Sequence, residues 1–241
     1  MAGTPPGLPT LGVLGGMGPA ATAEFLRVLA RTVPAATDQE HPRIVMLSEP
    51  AVPDRTEALI SGSDAPMPLL EQSLRTLVGW GADLLAVPCN TAHVYLDRLR
   101  DWLPVPLVHI VEATLDTARA ASPDGAWLTA TTGTVISGIY QRHARRTDYR
   151  LLLPDDALQE RVHAATTLVK ANQVPAAGET FGAVARELLR REPVPLVAAC
   201  TELPLAAARS GLPDDLVVSS LDALAEACVD RLYAASPTGR R

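Results

Sequence analysis

Short apolar segments alternate with longer amphipathic segments along almost the whole chain. The apolar segments suit buried strands, and the segments between them have helical periodicity. This alternation is typical of a parallel sheet whose strands are joined by helices, so we predict an α/β fold. The predicted strands are residues 11–14, 44–47, 84–87, 107–110, 126–129, 150–153, 196–199 and 216–218. The predicted helices are residues 20–32, 68–80, 92–102, 111–121, 135–145, 157–170, 178–190 and 221–235.

The chain contains an internal repeat. The glycine-rich residues 13–18 include the end of the first predicted strand, and the similar residues 128–133 follow 115 positions later. Cys89 and Cys200 also follow predicted strands, and they are 111 positions apart. These nearly equal offsets indicate a duplicated α/β lobe with a cysteine at corresponding places, and residues 104–106 suit a crossing between the lobes.

The composition argues against several classes of protein. A net charge of −6 disfavours a nucleic-acid partner, because nucleic-acid-binding surfaces are basic. No segment approaches the ~20 continuous apolar residues that a membrane-spanning helix needs. The first 23 residues lack the basic start of a signal peptide, and prolines interrupt them. Three cysteines are too few for a disulfide framework, so we predict a cytoplasmic protein with reduced thiols.

Cys89 and Cys200 are the candidate catalytic residues. Each lies where an apolar strand ends, which is where open α/β sheets bind ligands. Each then enters a turn towards a helix, whose N–H groups and dipole favour a thiolate. A lone buried cysteine is usually a core residue, which is our interpretation of Cys228, but two in matching settings favour a function. A disulfide between the first two is the alternative, and a reducing compartment disfavours it.

The histidines and the basic residues give two further indications. The five histidines are scattered without a metal-binding spacing, so we predict no metal site. Among 21 basic residues Lys170 is the single lysine. A chain that otherwise uses arginine and keeps one lysine indicates a position that needs a compact ammonium group, and chance retention at the surface is the alternative.

Six short motifs follow one another between about residue 11 and about residue 224. They are GGMGPAAT at 15–22, DQEH at 38–41, PDRT at 53–56, PCNTAH at 88–93, ATTGT at 130–134 with Ser137-Gly138, and CTELPL at 200–205. In this order they resemble the aspartate/glutamate racemase family, specifically its aspartate racemase branch. Each motif alone is weak, and their common order makes the resemblance specific.

The resemblance implies a fold and a site. Such enzymes have two similar parallel-sheet α/β lobes related by pseudo-twofold symmetry, with the active site in the inter-lobe cleft. It assigns residues 1–105 and 219–241 to the first lobe and residues 106–218 to the second, and it implies a homodimer that uses no cofactor. The paired catalytic cysteines fall on Cys89 and Cys200. The positions that match substrate-binding residues are Met17, Arg55, Asn90, Thr91, Ala92, Thr131, Thr132, Thr134, Lys170 and Thr201.

Three positions depart from the family's pattern. Ala199 precedes the second cysteine where glycine is usual, and Asn172 stands where a glycine normally follows the lysine. Asparagine tolerates a positive φ, so that turn is expected to survive. Glu49 occupies a place where shorter asparagine or aspartate is commoner. These differences put the identity of the substrate in doubt more than the chemistry.

The implied reaction interconverts L- and D-aspartate, or glutamate or a related amino acid. Removing a proton from one face of Cα and delivering one to the other is done most directly by two groups, one thiolate and one thiol. Hydroxyl and N–H donors of residues 131–134 and 90–92 would stabilise the carbanion. Arg55 and Lys170 supply two positive charges that would match the two carboxylates of an acidic amino acid. Either could instead adjust the pKa of the cysteine that acts as the base.

Other functions remain open at this stage. Relatives with this scaffold isomerise maleate, racemise hydantoins or decarboxylate malonates, and the decarboxylases use one cysteine. A two-lobed protein could also bind an amino acid without catalysis. A thiol-redox protein would have its cysteines close in sequence, and a pyridoxal enzyme would use Lys170 for a Schiff base.

Overall fold

The computed structural model describes residues 8–234, in which eight strands and eleven α-helices alternate. The predicted α/β fold is confirmed, and every predicted strand is present within two residues of its expected bounds. The strands are β1 (Leu11–Gly15), β2 (Ile44–Ser48), β3 (Leu84–Ala86), β4 (Leu107–Val108), β5 (Ala126–Ala130), β6 (Leu151–Leu152), β7 (Leu196–Ala199) and β8 (Val217–Ser219). The helices are α1 (Pro19–Thr32), α2 (Arg55–Ser61), α3 (Met67–Gly79), α4 (His93–Leu99), α5 (Ile110–Ala121), α6 (Thr132–Ser137), α7 (Ile139–Arg146), α8 (Asp156–Lys170), α9 (Val174–Arg191), α10 (Leu203–Ala207) and α11 (Ser220–Ala234).

The strands of residues 8–234 form two parallel sheets of four strands each. The order is β2-β1-β3-β4 in the first sheet and β6-β5-β7-β8 in the second, so the second repeats the first. All positions of β1 and β5 are buried. Parallel strands covered by helices on both faces are apolar throughout, which is why short continuous apolar runs identified them in the sequence.

Two short helices and one helix break were not predicted. α2 and α10 have only seven and five residues, too few to give a periodic apolar pattern. The single helix predicted over residues 135–145 is wrong, because Gly138 has a φ of +67° and separates α6 from α7. Glycine adopts this left-handed conformation without steric cost and commonly ends helices. The last residue of the helix predicted over 221–235 lies outside the described residues.

The first sheet extends further along the chain than the predicted division into lobes. Residues 106–218 were assigned to the second lobe, but β4 pairs with β3, with Leu85 opposite Leu107. The chain therefore leaves the first sheet after β4, and α5 leads to the second sheet. α11 packs against α1, where Arg31 forms an ion pair with Asp222. Residues 1–7 and 235–241 of the predicted first lobe lie outside the described part of the chain.

One apolar core and one close helix contact hold the two sheets together. The core contains buried side chains from β1 and β5 and from α5, α7 and α11. On the other side, a Cβ at Gly133 would lie 2.8 Å from Thr56 Cα, so the missing side chain lets α6 approach α2. This contact brings the loops after the strands of both sheets together. Among residues 8–234, each helix is too short or too polar to span a membrane.

Candidate active site

A cavity lies where the inner strands β1, β3, β5 and β7 end. Parallel α/β sheets bind ligands at the carboxyl ends of their strands, because loops and helix N-termini meet there. The cavity has an empty volume of about 290 Å³. Its lining residues are Met17, Asp54, Arg55, Thr56, Cys89, Asn90, Thr91, Thr131, Lys170, Cys200, Thr201 and Glu202.

Cys89 and Cys200 both line this cavity. Cys200 directly follows β7 and Cys89 comes shortly after β3, so the repeated topology places them at corresponding strand ends. Each is 5% exposed, and both thiols are free. Cys228 is fully buried in α11, away from the cavity. The structure thus brings the two predicted catalytic residues to one site.

Cys200 has a carboxylate as its immediate partner. Its Sγ lies 3.0 Å from Glu202 Oε2 and donates a hydrogen bond to it. Burial raises the pKa of the Cys200 thiol well above its usual value, and the charge and hydrogen bond of Glu202 raise it further. The backbone N–H of Glu202 favours the Cys200 thiolate, as expected from the sequence, but burial and the Glu202 carboxylate outweigh it.

Three threonine hydroxyls meet beside the cysteines. Thr91 Oγ1 lies 3.0 Å from Thr131 Oγ1 and 2.9 Å from Thr134 Oγ1, and the last two are also 2.9 Å apart. Thr91 follows β3 and the other two follow β5, so the triangle spans both sheets. Each hydroxyl has one proton, so the three contacts engage all three, and Thr91 or Thr131 at the cavity wall would donate to a ligand by turning its proton away from a neighbouring threonine.

Asn90 and His93 form buried hydrogen bonds with residues outside the cavity lining and with the Cys89 backbone. Tyr140 Oη donates to Asn90 Oδ1 over 2.6 Å, and Asn90 Nδ2 donates to Ser220 Oγ over 3.0 Å. His93 Nδ1 lies 2.8 Å from the carbonyl oxygen of Cys89. Burial and the neighbouring His109 lower the pKa of His93 to about 3, so its ring is neutral and Nδ1 donates to this carbonyl. These bonds fix the loop that carries Cys89.

Arg55 is bound mainly by backbone. Its Nη1 donates to the carbonyl oxygens of Val52 and Pro53 at 3.0 and 3.2 Å, and its Nη2 donates to that of Met17 at 3.3 Å. Arg55 is 9% exposed, and its Nε is buried without a hydrogen-bond partner among residues 8–234. The guanidinium therefore shapes the loops after β1 and β2 and gives the cavity a fixed positive charge.

Lys170 and Asp54 form a charged rim of the cavity. Lys170 ends α8 and is exposed, and its positive charge acts on Asp54 and Cys200. Burial opposes ionisation of Asp54, but the N–H of Glu57 and the charges of Lys170 and Arg55 lower the pKa of its carboxyl. The lone lysine of the sequence thus lies at the site, as the resemblance implied.

Three predicted substrate-binding residues do not line the cavity. Ala92 is in the apolar core, Thr134 lies behind Thr131 in the hydroxyl triangle, and the N–H of Thr132 contacts His163 at 3.3 Å. Sequence reasoning in turn missed three lining residues, which are Asp54, Thr56 and Glu202. All three belong to the motifs PDRT and CTELPL, so weighing every polar residue of those motifs would have found them.

A cluster of histidines and a carboxylate lies outside this cavity. Ligand atoms of Asp97, His109 and His143 all lie within 4.8 Å of one another. His109 Nε2 is 3.0 Å from Asp97 Oδ1, and its Nδ1 accepts from the N–H of Glu112 at 3.4 Å. A neutral imidazole has one proton and one lone pair, so these bonds engage both nitrogens of His109. The cluster therefore links α4, α5 and α7 through hydrogen bonds and ring stacking.

The fold and the site define a class of protein that the comparisons with known proteins identify. The sequence model described as Asp/Glu/hydantoin racemase matches residues 14–228. The chain therefore belongs to the Asp/Glu/hydantoin racemase family, and as a racemase it is an isomerase. The resemblance inferred from the six motifs is confirmed.

Three individual proteins show how similar the relatives are. The aspartate racemase of Picrophilus torridus is 30% identical and superposes with a TM-score of 0.81, covering 92% of this chain and 93% of that one. The broad specificity amino-acid racemase RacX of Bacillus subtilis is 25% identical over 80% of this chain and 85% of its own length. A glutamate racemase from Thermus thermophilus shares the fold, with 24% identity, a TM-score of 0.68 and coverage of 96% and 84%.

Proposed function

We propose that this protein is a cofactor-independent amino-acid racemase in which Cys89 and Cys200 are the two acid/base groups. The observation that carries the proposal is the opening of both thiols into one cavity at corresponding strand ends. A substrate bound between them would expose opposite faces of its Cα to the two sulfur atoms. The cysteine present as a thiolate would remove the α-proton and become a thiol, while the other, a thiol, delivers its proton to the opposite face and becomes a thiolate.

The environment of Cys200 supports a role for it as a proton donor. Its raised pKa favours the thiol in the free enzyme, and the thiol is the form that delivers a proton. The carbanion needs stabilisation as its carboxylate gains enediolate character. The hydroxyls of Thr91 and Thr131 and the N–H groups of the loops after β3 and β5 are suited to this, because they are already fixed in place.

We propose aspartate, glutamate or a related amino acid as the substrate. The similarity to the aspartate racemase of Picrophilus torridus supports aspartate, and the likeness to the broad specificity racemase of Bacillus subtilis widens the set to be tested. Lys170 at the rim forms no ion pair within residues 8–234, so it would attract a side-chain carboxylate. Arg55 contributes charge at the wall, because its terminal nitrogens already bind carbonyl oxygens.

Deuterium exchange tests this function. The protein is incubated in deuterated water with single L- and D-amino acids, and label at Cα and optical purity are followed together. Cys89→Ser and Cys200→Ser are each expected to lower racemisation by roughly 10²–10⁴-fold. Each variant should retain exchange of only one enantiomer, and the two variants should retain opposite ones, because each keeps one working cysteine and these lie on opposite faces of Cα.

A matched control and two alternative outcomes complete the test. Cys228→Ala removes a buried thiol outside the cavity and should leave the racemisation rate unchanged. Binding of an amino acid without α-proton exchange in the wild type would instead identify a non-catalytic binding protein. Turnover of maleate without exchange at any amino acid would identify a cis–trans isomerase.

We further propose that the protein is cytoplasmic and forms a homodimer. Its only other proposed ligand is the small-molecule substrate. The reduced cysteines and acidic composition support the location, and the family resemblance supports the dimer. The division of the chain into lobes remains part of this proposal, with the first boundary moved beyond β4. Sedimentation equilibrium measures the oligomeric state directly.

A further inference from the structure

We propose that Glu202 is the binding residue for the α-ammonium group of the substrate, an inference that rests on the proposed racemase function. Glu202 lines the cavity and is 2% exposed, and a carboxylate that is this deeply buried usually has a cationic partner. Its role was not indicated by the motif in which it occurs, since only the neighbouring Cys200 and Thr201 were expected to act on substrate.

The two carboxylate oxygens of Glu202 differ in their partners. Oε2 accepts hydrogen bonds from Cys200 Sγ at 3.0 Å and from Thr201 Oγ1 at 3.3 Å. Oε1 is buried and has no hydrogen-bond partner within residues 8–234. A buried charged oxygen left unpaired costs several times more than an ordinary missing hydrogen bond. This oxygen is therefore suited to a cationic donor that arrives with the ligand.

The nearest part of the loop after β1 presents a glycine to Oε1. A Cβ built on Gly18 would lie 3.0 Å from Oε1, so the loop after β1 approaches this oxygen with a glycine rather than a side chain. The cations at the site are elsewhere, because Arg55 donates to backbone carbonyls and Lys170 lies at the rim. Neither forms an ion pair with Glu202 among the described residues.

The position of Oε1 also fits the stereochemistry of an amino acid. The nitrogen is bonded to Cα, the atom that each sulfur must approach, so the ammonium group must lie close to Cys200. The other oxygen of Glu202 contacts Cys200 Sγ, so this carboxylate lies on the side of the cavity where the ammonium group must bind. A charge-assisted hydrogen bond there would set the orientation of Cα between the two thiols.

Binding of the ammonium group would also change the reactivity of Cys200. The negative charge of Glu202 and its hydrogen bond help to hold the pKa of the free thiol high. An ammonium group beside Oε1 offsets that charge, and the thiol pKa falls when substrate is in place. Cys200 thus becomes able to act as a base in the reverse direction only when an amino acid, rather than an amine-free acid, is bound.

The proposal predicts selectivity for the amine. L-Aspartate and succinate have the same two carboxylates and differ by the ammonium group, so their ratio of dissociation constants isolates this contact. Calorimetric titration of the wild type should give aspartate the tighter binding by roughly tenfold to a hundredfold. In Glu202→Gln, which keeps the size but replaces one acceptor oxygen by an amide NH2 and removes the charge, the ratio should approach one, mainly through weaker aspartate binding.

The control is Glu57→Gln, an exposed position on α2 near the cavity that loses the same charge. It should retain the wild-type ratio. Glu202→Asp keeps the charge but shortens the side chain, and it should give an intermediate ratio, so the test does not depend on the folding of one variant. Thermal unfolding of each variant checks that the fold is intact.

Two results would overturn the assignment. Equal weakening of both ligands in Glu202→Gln would mean that Glu202 acts only on Cys200, and an unchanged ratio would mean that the ammonium group binds elsewhere. Failure of the racemase function is recognised separately, as the absence of α-proton exchange with any amino acid. If the ratio of dissociation constants depends on Glu202 but no amino acid exchanges its α-proton, the ammonium site is supported and the racemase function is not. If another amino acid exchanges fastest, its own amine-free analogue replaces succinate.

Discussion

The Cys200 thiol donates a hydrogen bond to the Glu202 carboxylate over 3.0 Å, and only Thr201 separates the two residues in the chain. Burial raises the pKa of this thiol, and the adjacent negative charge adds to the effect. Alkylation by iodoacetamide requires the thiolate, so its rate reports on this pKa. The rate at Cys200 should rise in Glu202→Gln, by about tenfold for each unit by which the pKa falls.

This alkylation is followed by mass spectrometry of the peptides that carry Cys89 and Cys200. Glu57→Gln removes an exposed carboxylate and should leave both rates at the wild-type level. An unchanged Cys200 rate in Glu202→Gln would show that burial alone determines the protonation of this thiol.

A second prediction concerns the bond between Tyr140 and Asn90. Tyr140→Phe removes the donor to Asn90 Oδ1 at 2.6 Å and leaves a buried acceptor unsatisfied. We expect the free energy of unfolding to fall by about 1–3 kcal/mol in urea titrations. Tyr233→Phe is the matched control, because its hydroxyl donates to Glu40 at the surface, and its cost should stay below about 0.5 kcal/mol. Equal costs for the two variants would contradict this explanation.

A third prediction concerns stability in acid. The pKa of His93 is lowered from 6.5 to about 3 by burial and by His109. Between these values the unfolded chain binds a proton that the folded chain does not, so stability falls as the pH decreases from 6.5 towards 3. At about pH 4.5, near the middle of this range, protonation linked to His93 should lower the free energy of unfolding by about 2–3 kcal/mol.

The variant that checks this loss is His93→Asn, whose amide can still donate to the carbonyl of Cys89. Its unfolding free energy should depend less steeply on pH than that of the wild type, in urea titrations across the acid range. His41→Asn, at the end of a surface 3₁₀ turn, should keep the wild-type slope. A His93 variant with an unchanged slope would assign the acid sensitivity to other groups.

A fourth prediction distinguishes two helical glycines. Replacing glycine by alanine within a helix normally stabilises it by about 0.5–1 kcal/mol. At Gly178 in α9 a Cβ would lie 2.5 Å from Arg209 Cβ and 2.7 Å from the Arg209 carbonyl oxygen. Because overpacking costs about 1–3 kcal/mol, Gly178→Ala should destabilise the protein.

Gly79 provides the comparison for this clash. Nothing lies within 4 Å of a Cβ placed there, at the end of α3. Gly79→Ala should therefore raise the melting temperature while Gly178→Ala lowers it, as measured by calorimetry. Stabilisation by both substitutions would mean that α9 and the Arg209 segment move apart at little cost.

The amino-acid sequence was sufficient to predict the α/β class, the strands and the common site of the cysteines. Parallel strands such as β1 and β5 are buried at every position and almost entirely apolar, and this pattern is local. The apolar runs before Cys89 and Cys200 placed both at strand ends, and the nearly equal offsets of 115 and 111 residues indicated that these places correspond. The short helices α2 and α10 escaped prediction because seven and five residues give too little periodicity.

By itself, the sequence determined which segments become strands and which motifs supply most of the cavity's residues, since apolar runs and short motifs are properties of neighbouring positions. Only the tertiary structure decided how those residues behave. The high pKa of Cys200 depends on its burial and on how close the Glu202 carboxylate lies, and the engagement of Arg55 depends on carbonyl groups from two different loops. Burial, electric field and hydrogen-bond geometry arise from distances between segments that a linear pattern does not contain.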